Sequence, residues 1–238
     1  MTRVVLTRSS EEAAATAKRL SALGYTPLFA SALTIRPTGT TPPDGAFDAL
    51  IATSAAAFTV LAPERYAKLA SLPLYVVGER TAEVAARIGL AAPRAIAPGA
   101  ATLAALICDK LPQKSRALYL AGRDRTADIE EALGAAGHRV AVCEIYEAPA
   151  REAWSAEEAK AFAEGDIALY YSRRSAEITV ALAERAGLGE KLRAILHLCI
   201  SENAAEPLRG AQARNIVAAA QATEAGLFEA LKQSMRAG

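Results

Sequence analysis

Along the chain the spacing of apolar residues alternates between two and about 3.6, which predicts strands alternating with helices. RVVLT (3–7) reads as a short buried strand. SSEEAAATAKRLSALG (9–24) reads as a helix with a capping-type start, Ser9 or Ser10 followed by Glu12, and a glycine stop at Gly24. YTPLFASALTIRP (25–37) is extended and ends on proline. FDALIATS (47–54) is a strand running into a helix over SAAAFTVLAPERY (54–66). LYVVG (74–78), ERTAEVAARIG (79–89), APRAIAP (92–98) and TLAALICDKL (102–111) continue as strand, helix, strand and helix. Strand–helix alternation at this spacing predicts an α/β fold with parallel sheet.

The chain then repeats the pattern. RALYLAG (116–122) is a strand, DRTADIEEALGAAG (124–137) a helix and HRVAVCEIYEAP (138–149) an extended segment. GDIALYYS, ILHLCIS and ARNIVAA read as further strands. SAEITVALAERAG, ENAAEPLRG and EAGLFEALKQSM read as the helices after them. LTRSSEEAAATAKRLSALGYTP aligns with LAGRDRTADIEEALGAAGHRV, and FDALIATSAAA with DIALYYSRRSA, which sets Ser54 against Ser172. LYVVGERTAEVA aligns with LHLCISENAAEP. This is a duplication of half a chain rather than a short solenoid repeat.

Each half carries a long extended segment after its first helix, LFASALTIRPTG and VAVCEIYEAPA, both Pro-rich at the end. Two such segments can pair as a ribbon. The expectation is therefore two Rossmann- or flavodoxin-like parallel-sheet domains with swapped connectivity. One is discontinuous, 1–35 plus 149–238. The other is 38–145, and the linker strands lie at about 30–38 and 142–149.

Composition narrows the partners. Of 238 residues, 52% are hydrophobic, enough for a sizeable core, and the formal net charge of +1 gives no global attraction to nucleic acid or a membrane surface. No apolar run is long enough for a membrane span, and the N-terminal apolar run is too short for a signal peptide. Cys108, Cys143 and Cys199 have no CxxC spacing and read as reduced thiols of a cytoplasmic protein. The surface charge and lack of an obvious apolar patch point to a monomer.

In open parallel sheets ligands bind at the carboxyl ends of strands, where helix N-termini offer free N–H groups to anions. The pattern puts Thr7 and Arg8 at that edge, then Ser54, then Gly78, Glu79, Arg80 and Thr81. The second half adds Gly122, Arg123 and Arg125, then Ser172, Arg173 and Arg174, then Ser201, Glu202 and Asn203. Recurring hydroxyls, glycines and arginines suit a ligand with several carboxylates or phosphates. Read singly, the Ser and Thr residues are helix N-caps and the arginines solvated surface.

Competing motifs are absent: there is no GxGxxG, GxxxxGK[ST] or GxSxG. Asp124 and Asp128 read as a solvated helix face rather than a metal site, and two histidines exclude a His-rich one. Trp154 reads as packing, and Tyr170 and Tyr171 point to opposite faces of a strand. His138 reads as a loop residue and His197 as a satisfied core histidine.

LTRSS, DALIATSAAA, YVVGERTAEVAARIG, LYLAGRDRTADIEEAL, EIYEAP, ALYYSRRSA and CISENAA, in that order over nearly the whole chain, resemble the uroporphyrinogen-III synthase family. The resemblance implies two α/β domains joined by a two-stranded ribbon, with the active site in the cleft between them. It implies conversion of hydroxymethylbilane to uroporphyrinogen III by loss of water and inversion of the terminal pyrrole ring, a lyase reaction of haem biosynthesis without cofactor or metal. The family's linker-strand tyrosine, the candidate proton donor, falls on Tyr146, and the threonine after VG-x-x falls on Thr81. The strand-end serines fall on Ser54 and Ser172. An unstable substrate also points to transient contact with the upstream bilane-forming enzyme. Two departures stand out: TSAAA lacks the family's frequent asparagine, and SENAA replaces a G-x-x-TA motif with Ser201 and Ala204. The runner-up is a two-domain anion-binding protein without catalysis. A nucleotide-sugar transferase comes third, with no nucleotide motif behind it.

Overall fold

The computed structural model describes residues 1–60 and 62–236. The chain opens with β1 (Arg3–Leu6), α1 (Ser10–Ala22) and β2 (Thr26–Phe29). There follow β3 (Arg36–Pro37), β4 (Ala49–Ala52), a 3-10 turn (Ala55–Phe58), α2 (Pro63–Ala67), β5 (Leu74–Val77), α3 (Glu79–Arg87), β6 (Pro93–Ala97) and α4 (Ala100–Lys110). The middle closes with β7 (Arg116–Gly122), α5 (Asp128–Ala135) and β8 (Arg139–Glu147). The remainder runs α6 (Ala156–Glu164), β9 (Ile167–Tyr170), α7 (Arg173–Arg185), α8 (Gly189–Ala194), β10 (Leu196–Cys199), α9 (Glu202–Gly210), β11 (Asn215–Ala218) and α10 (Glu224–Arg236).

Two compact units result. The first is Met1–Thr34 with the chain from Pro149 onward, the second Ile35–Ala148. The first holds a five-stranded parallel sheet, β11-β10-β9-β1-β2. Strands buried on both faces read as continuous apolar runs, and Val4, Val5 and Leu6 of β1 are fully buried. Alternation sends Val5, Ala168 and Tyr170 to one face, against Phe162 of α6 and Ala176 of α7. Val4, Leu6, Ile167 and Leu169 face the other, against Leu20 of α1 and Leu227 of α10.

The second unit holds a six-stranded sheet, β3-β8-β7-β4-β5-β6. Its pairs are parallel except β3 with β8, where Arg36 stands opposite Glu147 and Pro37 opposite Tyr146. Leu50, Ala52, Leu118 and Leu120 fill one face, and Ile51, Tyr75, Ala117 and Tyr119 the other. With β3 set aside, β8-β7-β4-β5-β6 matches β2-β1-β9-β10-β11 strand for strand. The predicted fold class, two parallel sheets with swapped connectivity, is the one observed.

The duplication extends to backbone anchoring. Asp166 accepts the Arg3 N–H at 2.8 Å, and Asp48 accepts the Arg116 N–H at 2.8 Å. In return the Asp166 N–H donates to Arg3 O at 2.9 Å and the Asp48 N–H to Arg116 O at 2.8 Å. Each aspartate locks the start of two neighbouring strands.

Several expectations change. The helix expected over 54–66 is a 3-10 turn followed by the short α2, with Leu61 outside the described residues. Ala62, ahead of Pro63, is held extended at φ −62°, ψ 144°, as a pre-proline residue prefers. The first extended segment is broken: β2 and β3 are separate, with an isolated antiparallel bridge between Leu33 and Ala150. Helices α6 and α8 were not anticipated. His138 is the loop residue expected, between α5 and β8, and it is buried. Trp154 does pack, its ring 4.8 Å from that of Phe162 and its indole N–H donating to Ser31 O at 3.1 Å. The α1 capping start falls partly outside the description, since the side chains of Ser10 and Glu12 are not among the described residues.

Candidate functional site

Strand order reverses between β1 and β9 in the first unit and between β7 and β4 in the second. The crevice beyond the carboxyl ends of such a pair is where open α/β sheets bind ligands. In the second unit this edge carries Gly122 at the end of β7, Arg123 just after it, and Ser54 beyond the end of β4. Tyr146 reaches the same edge from the end of β8, because Gly122 pairs with Tyr146 in register.

A β-bulge aims Tyr146. Ala121 pairs with Glu144 and Gly122 with Tyr146, so Ile145 is the extra residue. Cys143 and Ile145 face the core formed by Leu118 and Leu120, and strict alternation would turn Tyr146 to the opposite face. The extra residue resets the alternation, and Tyr146 packs half-buried against the same core as Cys143 and Ile145. Its ring lies over Gly122: an ideal Cβ there would meet Tyr146 Cε2 and Cζ at 2.7 Å and the hydroxyl oxygen at 2.9 Å.

The glutamates flanking this tyrosine hold the loop after β7. Glu144 accepts from Arg125 Nη1 at 2.7 Å, and Arg125 Nε donates to Glu130 at 2.7 Å. Glu147 pairs with Arg123. The Arg123 N–H donates to Tyr146 O at 2.9 Å, and Thr38 on the far side of β8 donates its hydroxyl to Glu144 O at 2.6 Å. Next to this cluster Thr53 and Tyr119 share a hydrogen bond of 2.8 Å, and burial raises the Tyr119 phenol above its ordinary pKa.

Ser54 caps the 3-10 turn, accepting from the Ala56 N–H at 3.2 Å. Gly78 starts α3 at φ +78°, a conformation L side chains rarely adopt, and Thr81 on the first turn is buried. Arg80 pairs with Glu83 at 3.4 Å.

In the first unit Thr7 is fully buried and donates to Leu169 O at 2.7 Å, tying β1 to β9. Arg8 lies 4.2 Å above the Tyr171 ring and 4.0 Å from Glu224, which also takes Arg19 at 2.5 Å and the Thr16 hydroxyl. Burial pushes the Tyr171 phenol up to about 12. Ser172 and Ser201 cap α7 and α9, accepting from the Ser175 N–H at 3.1 Å and the Ala204 N–H at 3.3 Å. Arg173 pairs with Glu177 at 2.8 Å and with Glu206.

Arg8, Arg80, Arg123, Arg125 and Arg173 therefore all have carboxylate partners. An anionic ligand meeting any one of these guanidiniums would have to displace its carboxylate. Sequence reasoning passed over Glu144, Glu147, Glu130 and Glu224. Their role depends on strand register and helix placement, and only the EIYE spacing hinted at it.

Away from the edge, His197 is fully buried between Tyr170 Oη at 3.1 Å from Nδ1 and Leu192 O at 2.6 Å from Nε2. Burial lowers its pKa to about 4. This is the satisfied core histidine expected. Tyr170 and Tyr171 do face opposite cores. Among the described residues no cluster of His, Cys, Asp and Glu is placed to hold a metal ion, and no helix is long and apolar enough to cross a membrane.

Comparison with known proteins gives three findings. A family model described as uroporphyrinogen-III synthase HemD matches residues 14–229. No curated protein matches the chain. The structure of uroporphyrinogen-III synthetase from Helicobacter pylori is 18% identical, covers 99% of this chain and 100% of its own, and superposes with a TM-score of 0.59. A mutant uroporphyrinogen III synthase from Thermus thermophilus is also 18% identical over 100% of both chains, with a TM-score of 0.49. At this identity the Helicobacter likeness shows the two-sheet fold.

Proposed function

The chain belongs to the uroporphyrinogen-III synthase family, and from that premise we propose that it cyclises hydroxymethylbilane to uroporphyrinogen III, a step of tetrapyrrole biosynthesis. The observation that carries the reading is Tyr146, turned by a bulge and seated on Gly122 at the carboxyl edge of the second sheet.

The reaction starts with loss of the terminal hydroxyl of the linear tetrapyrrole. Hydroxide is a poor leaving group, so a proton must reach it as the C–O bond breaks. The Tyr146 hydroxyl supplies that proton and water departs, leaving an azafulvene cation. The last ring closes through its substituted carbon to a spiro intermediate. This fragments and recombines with that ring inverted, and the proton lost on rearomatisation returns to the phenolate. Such proton transfer is worth a factor of about 100 or more. Holding the chain so that inverted closure outruns direct closure supplies a further part of the rate.

The substrate carries an acetate and a propionate on each ring. In this reading Thr81, Ser54, Gly78 and Arg80, with Arg123, meet carboxylates at the second sheet, while Gly122 lies beneath the Tyr146 ring. Arg8, Ser172, Arg173 and Ser201 meet carboxylates at the first, where Thr7, fully buried and donating to Leu169 O, holds β1 to β9 instead. Helix N–H groups and guanidiniums released from Glu83, Glu147, Glu206 and Glu224 serve as the donors. The conversion runs on protein side chains alone.

The test is turnover. With hydroxymethylbilane generated in place at a large excess over protein, the reading expects many product molecules per protein molecule. Consumption stopping at one equivalent would leave only a binding protein.

A further inference from the structure

Tyr146 fits Gly122 without room for a methyl group. The 2.7 Å and 2.9 Å separations from an ideal Cβ fall well inside the roughly 3.5–4.0 Å at which carbon atoms rest in contact. Gly122 is not among the positive-φ residues, so this glycine provides space rather than an unusual backbone conformation. Around the ring the backbone is fixed on several sides. Arg123 N–H holds the Tyr146 carbonyl, Thr38 holds the carbonyl of Glu144, and the Arg125–Glu144 and Arg123–Glu147 pairs tie the loop after β7 to the residues flanking the tyrosine.

We propose that Gly122 is a positioning residue. It is the floor of a seat, clamped by the Arg125–Glu144 and Arg123–Glu147 pairs, that sets where the Tyr146 hydroxyl meets the leaving group. The proposal rests on the reading of Tyr146 as proton donor. An added Cβ would displace the ring by about 1 Å while leaving its chemistry intact, and a misplacement of that size costs up to about 100-fold in rate. The glutamates on either side of the tyrosine thus anchor the loop that forms its floor.

The test is a double-mutant cycle on the full chain. kcat and KM for hydroxymethylbilane are measured for the wild type, Gly122→Ala, Tyr146→Phe and the double variant, with thermal unfolding alongside. Gly122→Ala is expected to lower kcat about 10- to 100-fold with KM little changed. In the Tyr146→Phe background the same substitution should change nothing further, because no hydroxyl remains to be positioned. Equal losses in both backgrounds would make Gly122 merely structural and overturn the seat. So would an unchanged kcat for Gly122→Ala beside a weakened Tyr146→Phe. A Tyr146→Phe enzyme as fast as wild type would overturn the donor assignment itself, and the seat with it. If Gly122→Ala does not fold, Glu144→Gln releases Arg125 and carries the same comparison.

Discussion

At the scale of single residues the account turns on Tyr146. Tyr146→Phe keeps the ring packed against Leu118 and Leu120 and removes only the hydroxyl. Stability should stay near wild type while kcat falls about 100-fold, read by bilane consumption under saturating substrate. His197 makes a separate prediction. Its folded pKa, about 4, lies below the ordinary 6.5. The fold therefore favours neutral imidazole. This contribution is fully present above pH 6.5 and is lost as pH falls toward 4, amounting to about 3 kcal/mol across that window. Urea unfolding of wild type against His197→Gln between pH 7 and 4 should show the steeper decline in wild type. Parallel declines would remove His197 as a cause. The identity of Tyr146 was legible through its flanking motif, and its orientation was not. The bulge at Ile145 is a property of the β7/β8 register, which no local pattern in β8 encodes. The carboxylate partners of Arg123 and Arg125 were hidden for the same reason.

At the scale of elements, two serine N-caps are expected to differ in what their loss does. Ser155 forms a capping box with Glu158 at the start of α6, and Ser172 caps α7. Replacing either with alanine should cost about 1 kcal/mol in chemical denaturation. Only Ser172→Ala should also raise KM for the bilane, because α7 starts at the carboxyl edge of its sheet, whereas the strand before α6, β8, belongs to the other sheet. Helix α6 had a readable start signal in the S-x-x-E spacing, but with Phe162 as its buried residue the apolar period is weak. The break between the 3-10 turn and α2 was equally marked in sequence by Ala62-Pro63. The strand alternation was readable throughout because parallel strands buried on both faces leave apolar runs such as RVVL, ALIA and IALY.

At the scale of the whole molecule, the duplication and the swap make opposite predictions for two fragments. Residues 35–148 carry all six strands of their sheet in one continuous stretch and should unfold cooperatively when expressed alone, as followed by circular dichroism. Residues 149–238 lack β1, which lies between β9 and β2 in the other sheet, and should not fold without residues 1–34. The internal repeat, with two long extended segments at matching places, is what suggests that the chain leaves a domain and returns. The pairing of strand-end arginines with carboxylates was not legible at any scale below the folded chain. The central claim, that this chain directs inverted closure of a linear tetrapyrrole, is tested most directly by product isomers. Hydroxymethylbilane is generated in place, the protein is added, and the products are oxidised to porphyrins and separated. The account predicts isomer III as the dominant peak, and isomer I alone, the product of uncatalysed direct closure, would contradict it.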